Sequence, residues 1–362
     1  VRQLTGGVES LLKKNGVKVV KEEAVPLTRN SICACGQVYD VRNIILAMGS
    51  NPARPPIKGI ENSVTSDYVL SMKELPKSIA IIGGGVIGVE FAVMLAGLGC
   101  RTTIIEMLPT VLNTADDTII EYTEKMLKQQ KISIITGARV REILPDGPVY
   151  ETEAGAEKVS AEMTVVATGR VPNTDQKQLD QLGIEHDRGR IKTDGCMRTN
   201  IPGIYAIGDL NGVSMLAHTA SKEGIVAVQN ILGKASTMSY DKIPSCVYTA
   251  PEIAWIGMTE KDAKKMGIRC KVGQFPLSAN GKSMIEGETG GIVKLIADSS
   301  TGEIIGGHMI CSHATDMIME IGILMGLEGL AEDIAEAVHP HPTVSESIME
   351  AASAVLGKAI HF

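Results

Sequence analysis

The segment Ile79-Ala80-Ile81-Ile82-Gly83-Gly84-Gly85-Val86-Ile87-Gly88-Val89-Glu90 constrains this chain more than any other. An apolar, strand-like run breaks into glycines and then into an amphipathic stretch. The next apolar run, Thr102-Thr103-Ile104-Ile105, ends at Glu106. This is the strand, turn, helix and acid of a dinucleotide-binding unit, which needs a parallel sheet around it. Gly83 allows the tight turn out of the strand, Gly85 lets backbone approach a pyrophosphate, and Gly88 lets the helix lie close to the sheet. The pyrophosphate then meets unpaired N–H groups and the positive end of a helix.

Glu106 stands where such folds accept the two hydroxyls of an adenosine ribose. A 2′-phosphate about 4 Å from this carboxylate would meet roughly 4 kcal/mol of repulsion per unit charge at an effective dielectric near 20. No arginine in Met107-Leu108-Pro109-Thr110 offsets that, so the sequence predicts NAD(H) rather than NADP(H).

A chain of 362 residues is long enough for two or three domains with cores of their own. With 35 basic and 42 acidic residues its net charge is −7, which argues against nucleic acid or an anionic membrane as the main partner. No apolar run reaches membrane length and no signal peptide is evident, so a cytoplasmic protein is expected. The cysteines at 33, 35, 100, 196, 246, 270 and 311 have the spacing of neither a disulfide framework nor a zinc site. Cys33-Ala34-Cys35 is the one close pair, read either as strand and turn residues or as a redox or metal pair.

Around the fingerprint the pattern predicts a short helix carrying Val8, Leu11 and Leu12 and ending near Asn15-Gly16, a strand over 17–20, and one or two strands over 37–48. Ile44 to Pro52 and Met163 to Asn173 have the same shape, a buried strand running into a Gly-containing loop, and they flank the fingerprint unit. That placement suggests a nucleotide domain over 74–170 inserted between 1–73 and 171–237 of another domain. Ile204 to Asp209 reads as a strand ending in a Gly-Asp turn, followed by a helix over 217–231. Asp209 there serves equally as a cap or as an acceptor for a sugar-like hydroxyl. From 238 onward the strand-like segments 247–248, 253–256 and 291–296 and an apolar helix over 314–325 make a separate α+β domain, 238–362.

The tail reads His339-Pro340-His341-Pro342-Thr343-Val344-Ser345-Glu346. If Ser345 begins a helix, Glu346 can meet His341, and a histidine–carboxylate pair is a competent acid–base unit. Taken alone, the segment also fits a surface loop or, less readily given its two prolines, a zinc site.

Together these motifs resemble one family over the whole length, the flavin- and pyridine-nucleotide-dependent disulfide oxidoreductases, and most closely their lipoamide branch. The resemblance rests on Gly83 to Glu90 with Glu106, Ala167 to Arg170 with Pro172-Asn173, and Tyr205 to Asp209. It rests further on Met215 to Ala220 with Glu223-Gly224, Val247 to Glu252, and His339 to Glu346. It implies an α/β fold in which a Rossmann-like NAD domain is inserted in a partial FAD domain and followed by an α+β dimerisation domain. It implies oxidation of protein-bound dihydrolipoamide, electrons passing through a disulfide and FAD to NAD. By the same resemblance His341 would be the acid–base, Glu346 its orienting partner, and His339 part of the lipoamide path. Gly169 and Arg170 would belong to the nucleotide site. Asp209 would bind the ribityl chain of FAD, with Met215, Leu216, Ala217, His218 and Thr219 near its ring, and Glu90 would sit between nicotinamide and flavin. No metal is implied. The implied partners are a second copy of the chain and a lipoyl-bearing protein of a 2-oxoacid dehydrogenase complex or glycine-cleavage system.

One departure is large. The family opens with its own FAD-binding glycine fingerprint, a Cys-x4-Cys redox pair and a lysine, and no two cysteines here are so spaced. The chain therefore reads as truncated, with a partial FAD site and no turnover of its own. Two alternatives accompany this reading: an NAD-binding, dimerising module without turnover, and a reductase of another substrate of the mercuric, glutathione or coenzyme A disulfide type.

Overall fold

The computed structural model describes residues 1–361. The chain divides into two compact units, one made of Val1–Ser50 with Pro172–Met238 and one of Asn51–Val171 with the chain from Ser239 onward.

The second unit contains β1 (Ser78–Ile82), α1 (Val86–Gly97), β2 (Arg101–Ile105), α2 (Asp117–Gln129), β3 (Ser133–Ile135) and β4 (Met163–Val166). The four strands form a parallel sheet in the order β4-β1-β2-β3, with Ile81 level with Val165 on one side and Ile104 on the other. Every residue of β1 is buried, as expected of a strand covered on both faces. Helix α1 buries Val89, Phe91, Ala92 and Leu95. It lies so close to the strand end that a Cβ on Gly88 would overlap the Gly83 carbonyl oxygen. Helix α2 turns Ile119, Ile120, Met126 and Leu127 inward, and Asp116 caps it by accepting from the Thr118 N–H at 3.0 Å.

The same unit continues with β5 (Ser245–Val247), β6 (Glu252–Gly257), β7 (Cys270–Pro276), α3 (Gly281–Glu286), β8 (Ile292–Asp298) and β9 (Ile304–Cys311). These strands make an antiparallel sheet in the order β5-β6-β9-β8-β7. On one face α4 (Ala314–Gly326) and α5 (Glu346–Val355) bury Ile318, Ile321, Ile348 and Val355 against Ile256, Leu295 and Met309. On the other, Ile253, Trp255 and Ile310 join the cluster that holds Ile81, Leu95 and Leu127, so one core runs through both sheets of this unit.

In the first unit the strands Ile44–Leu46 and Ile204–Ala206 pair in parallel over a core of Ile44, Leu46, Leu179, Ile191, Ile204 and Leu210. Helices span Arg2–Lys14 and Ala217–Ile231, where the periodicity put them. The strand expected over 17–20 does not form. Its valines have strand propensity, but no neighbour pairs with them among the described residues, and Val17, Val19 and Val20 stay exposed. Among the described residues no helix is long and apolar enough to cross a membrane.

Candidate active site

At the end of β1 the chain turns at Gly83, with φ of 111°. A Cβ there would overlap the Ala167 carbonyl oxygen, so both the conformation and the space call for glycine. The Gly84 N–H donates to Glu106 Oε2 at 2.6 Å and the Leu108 N–H to Oε1 at 2.7 Å. Two backbone donors thus fix the carboxylate at the strand end. Gly85 precedes α1 in extended conformation; no side chain caps the helix, and a Cβ on Gly85 would meet only open space. Orphan N–H groups facing an open approach fit the pyrophosphate of a dinucleotide, and Glu106 fits its ribose.

One turn into α1, Glu90 Oε1 accepts from the Tyr248 N–H at 2.9 Å. This bond ties the fingerprint helix to the antiparallel sheet. Burial raises the Glu90 carboxyl above its ordinary range, and the Tyr248 bond only partly offsets it. The exposed Gly169 accepts from the Ala53 N–H at 2.9 Å, and Arg170 begins the short strand that follows.

The histidines lie in the loop before α5, which starts at Glu346 with Ser345 as its N-cap. His341 Nδ1 is 2.9 Å from Glu346 Oε1, and the Thr343 N–H donates to Glu346 Oε2 at 2.8 Å. Both carboxylate oxygens are therefore engaged, while Asn280 anchors the loop by donating to the Thr343 carbonyl at 3.0 Å. Burial opposes ionisation of Glu346, but the Thr343 N–H, His341 and the nearby His339 outweigh it and hold its carboxyl below the usual range. The His341 side chain is 77% exposed, and among the described residues its Nε2 has no protein partner. With Nδ1–H directed at Glu346, the lone pair of Nε2 faces outward. His339 differs: its side chain is only 8% exposed and is held by Glu320. Among the described residues no group of three or more His, Cys, Asp and Glu is disposed to hold a metal ion.

In the first unit the Ser50 hydroxyl donates to Asp209 Oδ2 at the end of the Ile204–Ala206 strand. The buried Glu223 accepts from the Gly208 N–H at 2.5 Å and from Asn211 at 2.9 Å, bracing this turn from the following helix. Thr219 is buried and accepts from Ser214, whereas Ala217 and His218 are exposed in the first helical turn. A carboxylate paired with a hydroxyl is the donor–acceptor set that suits a polyol chain, and these residues fit the ribityl end of FAD.

The structure thus joins Gly83, Gly85 and Gly88 with Glu106, and His341 with Glu346. The sequence reading missed Tyr248 as the partner of Glu90, Ser50 as that of Asp209, and Glu320 as that of His339. The first acts through a backbone N–H, which no residue type advertises. Glu320 had a signal, being one of only two acids in the apolar helix 314–325.

Comparison with known proteins places these features in one family. Residues 1–224 match the model of the pyridine nucleotide-disulphide oxidoreductases and residues 243–352 that of their dimerisation domain. A dihydrolipoyl dehydrogenase of Geobacillus stearothermophilus is 38% identical over all of this chain and 79% of its own length. One from Bacillus subtilis is 39% identical over all of this chain and 81% of its own. Among solved structures, the HOCl-induced flavoprotein disulfide reductase RclA from Escherichia coli matches with a TM-score of 0.87 at 26% identity, over 97% of this chain and 84% of its own. LpdA from Mycobacterium tuberculosis matches with a TM-score of 0.88 at 25% identity, over 97% of this chain and 80% of its own. The nucleotide turn, the histidine–carboxylate tail and these matches agree: the chain belongs to the pyridine nucleotide-disulphide oxidoreductases.

Proposed function

We propose that this flavin- and pyridine-nucleotide-dependent disulfide oxidoreductase oxidises protein-bound dihydrolipoyl groups to lipoyl groups, with NAD⁺ as electron acceptor. The observation that carries the reading is the His341–Glu346 pair. Glu346, kept anionic and fixed by Thr343, orients the imidazole, and the outward Nε2 is free to take the proton of a thiol as it becomes a thiolate, then return it in the reverse direction. Bound FAD would supply the two-electron relay between NAD⁺ and the family's Cys-x4-Cys disulfide, a pair that these 362 residues do not contain. The chain's contribution to that relay is the polyol-binding pair Ser50–Asp209 and the residues Met215, Leu216, Ala217, His218 and Thr219. Glu106, with Gly83, Gly85 and Gly88, would hold NAD, Gly169 and Arg170 would border it, and Glu90 would stand at the nicotinamide.

Identities of 38–39% to dihydrolipoyl dehydrogenases, against 26% to RclA, favour a dihydrolipoyl substrate over another disulfide. The match to the dimerisation domain supports a homodimer, with a lipoyl-bearing protein of a 2-oxoacid dehydrogenase complex or glycine-cleavage system as electron donor. A cytoplasmic location fits those partners.

The test is steady-state turnover of the full-length, flavin-loaded holoenzyme, redox cysteine pair included, with dihydrolipoamide and NAD⁺, beside NADH-dependent reduction of glutathione disulfide. A dihydrolipoamide kcat/KM well above the glutathione value supports the reading; the reverse order overturns it.

A further inference from the structure

Thr343 follows His341 closely in the tail, and every one of its polar groups is engaged. Its N–H donates to Glu346 Oε2 at 2.8 Å, its hydroxyl donates to the Pro340 carbonyl at 2.8 Å, and its own carbonyl accepts from Asn280 Nδ2 at 3.0 Å. Of these three bonds only the last leaves the tail. It spans 63 positions of sequence to Asn280, which is buried and stands at the N-cap of α3. The oxygen of the same amide accepts from the Ser283 N–H at 2.8 Å and from the Ser283 hydroxyl at 3.0 Å. A backbone N–H can only donate and a backbone carbonyl can only accept, so this position needs an acceptor on one arm and a donor on the other. Aspartate would cap α3 equally well, but an ionised carboxylate has no hydrogen to give to Thr343.

We propose that Asn280 is a positioning residue for the acid–base pair, tying the loop that carries His341 and Glu346 to the start of α3. This rests on the dihydrolipoyl reading above. The bonds run in series, from Asn280 Nδ2 to the Thr343 carbonyl, from the Thr343 N–H to Glu346 Oε2, and between Glu346 Oε1 and His341 Nδ1 at 2.9 Å. The series matters because the His341 ring is so open that packing does not fix it. Among the described residues Glu346 is its one hydrogen-bond partner, so Glu346 sets the direction of Nε2, and Thr343 sets Glu346. Val344 is buried and seats the loop in the core of its domain, which fixes its depth. The bonds on either side of Thr343 fix how the two peptide planes there are turned, and only Asn280 refers that orientation to a separate element of the domain.

A displacement of about 1 Å at a reacting group can cost about 10²-fold in rate, so freeing Thr343 should slow the step that His341 serves and no other. The experiment uses the full-length, flavin-loaded holoenzyme, redox cysteine pair included, with Asn280→Asp, Asn280→Ser, His341→Gln and the two double variants. Asn280→Asp keeps the cap and turns the donor into an acceptor facing the Thr343 carbonyl. Asn280→Ser keeps a capping oxygen on a shorter side chain. Stopped-flow absorbance reads flavin reduction by dihydrolipoamide and, separately, by NADH. Each Asn280 variant is expected to slow the dihydrolipoamide half-reaction about tenfold or more and to leave the NADH half-reaction within about twofold of the parent. In the His341→Gln background, where no imidazole is left to misplace, each should add less than about twofold. Should one Asn280 variant fail to yield holoenzyme, the other decides. If His341→Gln abolishes the dihydrolipoamide half-reaction and the Asn280 variants leave it unchanged, this proposal fails and the dihydrolipoyl reading stands. A loss shared equally by the two half-reactions, or one that persists in full beside His341→Gln, also overturns it, because either marks a general effect on the fold. If His341→Gln itself is without effect, the dihydrolipoyl reading fails and the proposal with it.

Discussion

Lys294 on β8 is completely buried, and its Nζ meets Asp116 Oδ1 at 2.7 Å, Thr118 Oγ1 at 3.1 Å and the Glu260 carboxylate. Asp116, 2% exposed, is at the same time the N-cap of α2. One ammonium group therefore pins the nucleotide-fingerprint sheet to the antiparallel sheet within the larger unit. Replacing Lys294 by Met keeps the stem's volume and removes the charge. Asp116 would then retain the Thr118 N–H and the longer Glu260 N–H contact but lose its counter-ion. Breaking a buried pair from one side costs about 3–5 kcal/mol. At about 2–4 °C per kcal/mol for a unit of roughly 150–250 residues, the expected fall in unfolding midpoint is about 6–20 °C. The pH dependence gives a second, signed test. In the parent protein burial pushes the Asp116 carboxyl up, but the Lys294 bond, the charges of His308 and Lys294 and the Thr118 N–H bring it below the ordinary value. That stability is present above the ordinary carboxylate range and is lost as pH falls through the depressed value. Without Lys294 burial dominates and the sign reverses, so the deficit of Lys294→Met should shrink on acidification. Adding Asp116→Asn should restore most of the loss at neutral pH, because the buried uncompensated charge is gone while a cap remains. Calorimetry of the holoenzyme series measures all three. A Lys294→Met midpoint within about 2 °C of the parent, or a deficit that grows on acidification, would refute the reasoning.

Glu106→Ser should relax nucleotide choice, because removing roughly 4 kcal/mol of repulsion per unit charge at short range raises NADPH use. The ratio of NADPH to NADH kcat/KM is expected to increase at least about tenfold, read by paired steady-state assays. Gly83→Ala forces a left-handed φ on alanine and drives its Cβ into the Ala167 carbonyl, at a cost of about 1–3 kcal/mol for the backbone alone. NADH affinity measured by fluorescence titration should weaken about tenfold or more; unchanged affinity would mean that the turn is not the nucleotide cradle.

Much of the fold was legible because its signals are local. The uniformly apolar β1 announced a strand covered on both faces, the glycines its turn, and the helices 217–231 and 314–325 followed from periodicity. The segment 17–20 shows the opposite case: valines give strand propensity, but a strand exists only where a neighbour offers a ladder, and that is not a local property. In the site, residue types of distinctive chemistry could be picked out, and spacing alone brought Glu346 to His341 once a helix began at Ser345. Partners that act across the fold left no such trace. Tyr248 reaches Glu90 with a backbone N–H from 158 positions away, and Lys294 meets Asp116 across 178. Glu320 stands out in the sequence only as one of two acids in an apolar helix, and nothing local says that the fold turns His339 onto it.

The central claim is that His341 exchanges the substrate's thiol proton, and the most direct test separates the two half-reactions in the full-length His341→Gln holoenzyme, redox cysteine pair included. Stopped-flow absorbance would follow flavin reduction by NADH and, separately, by dihydrolipoamide. The account expects reduction by NADH to remain close to the parent rate and reduction by dihydrolipoamide to fall about 10²–10⁴-fold. Equal rates with dihydrolipoamide in variant and parent would contradict it.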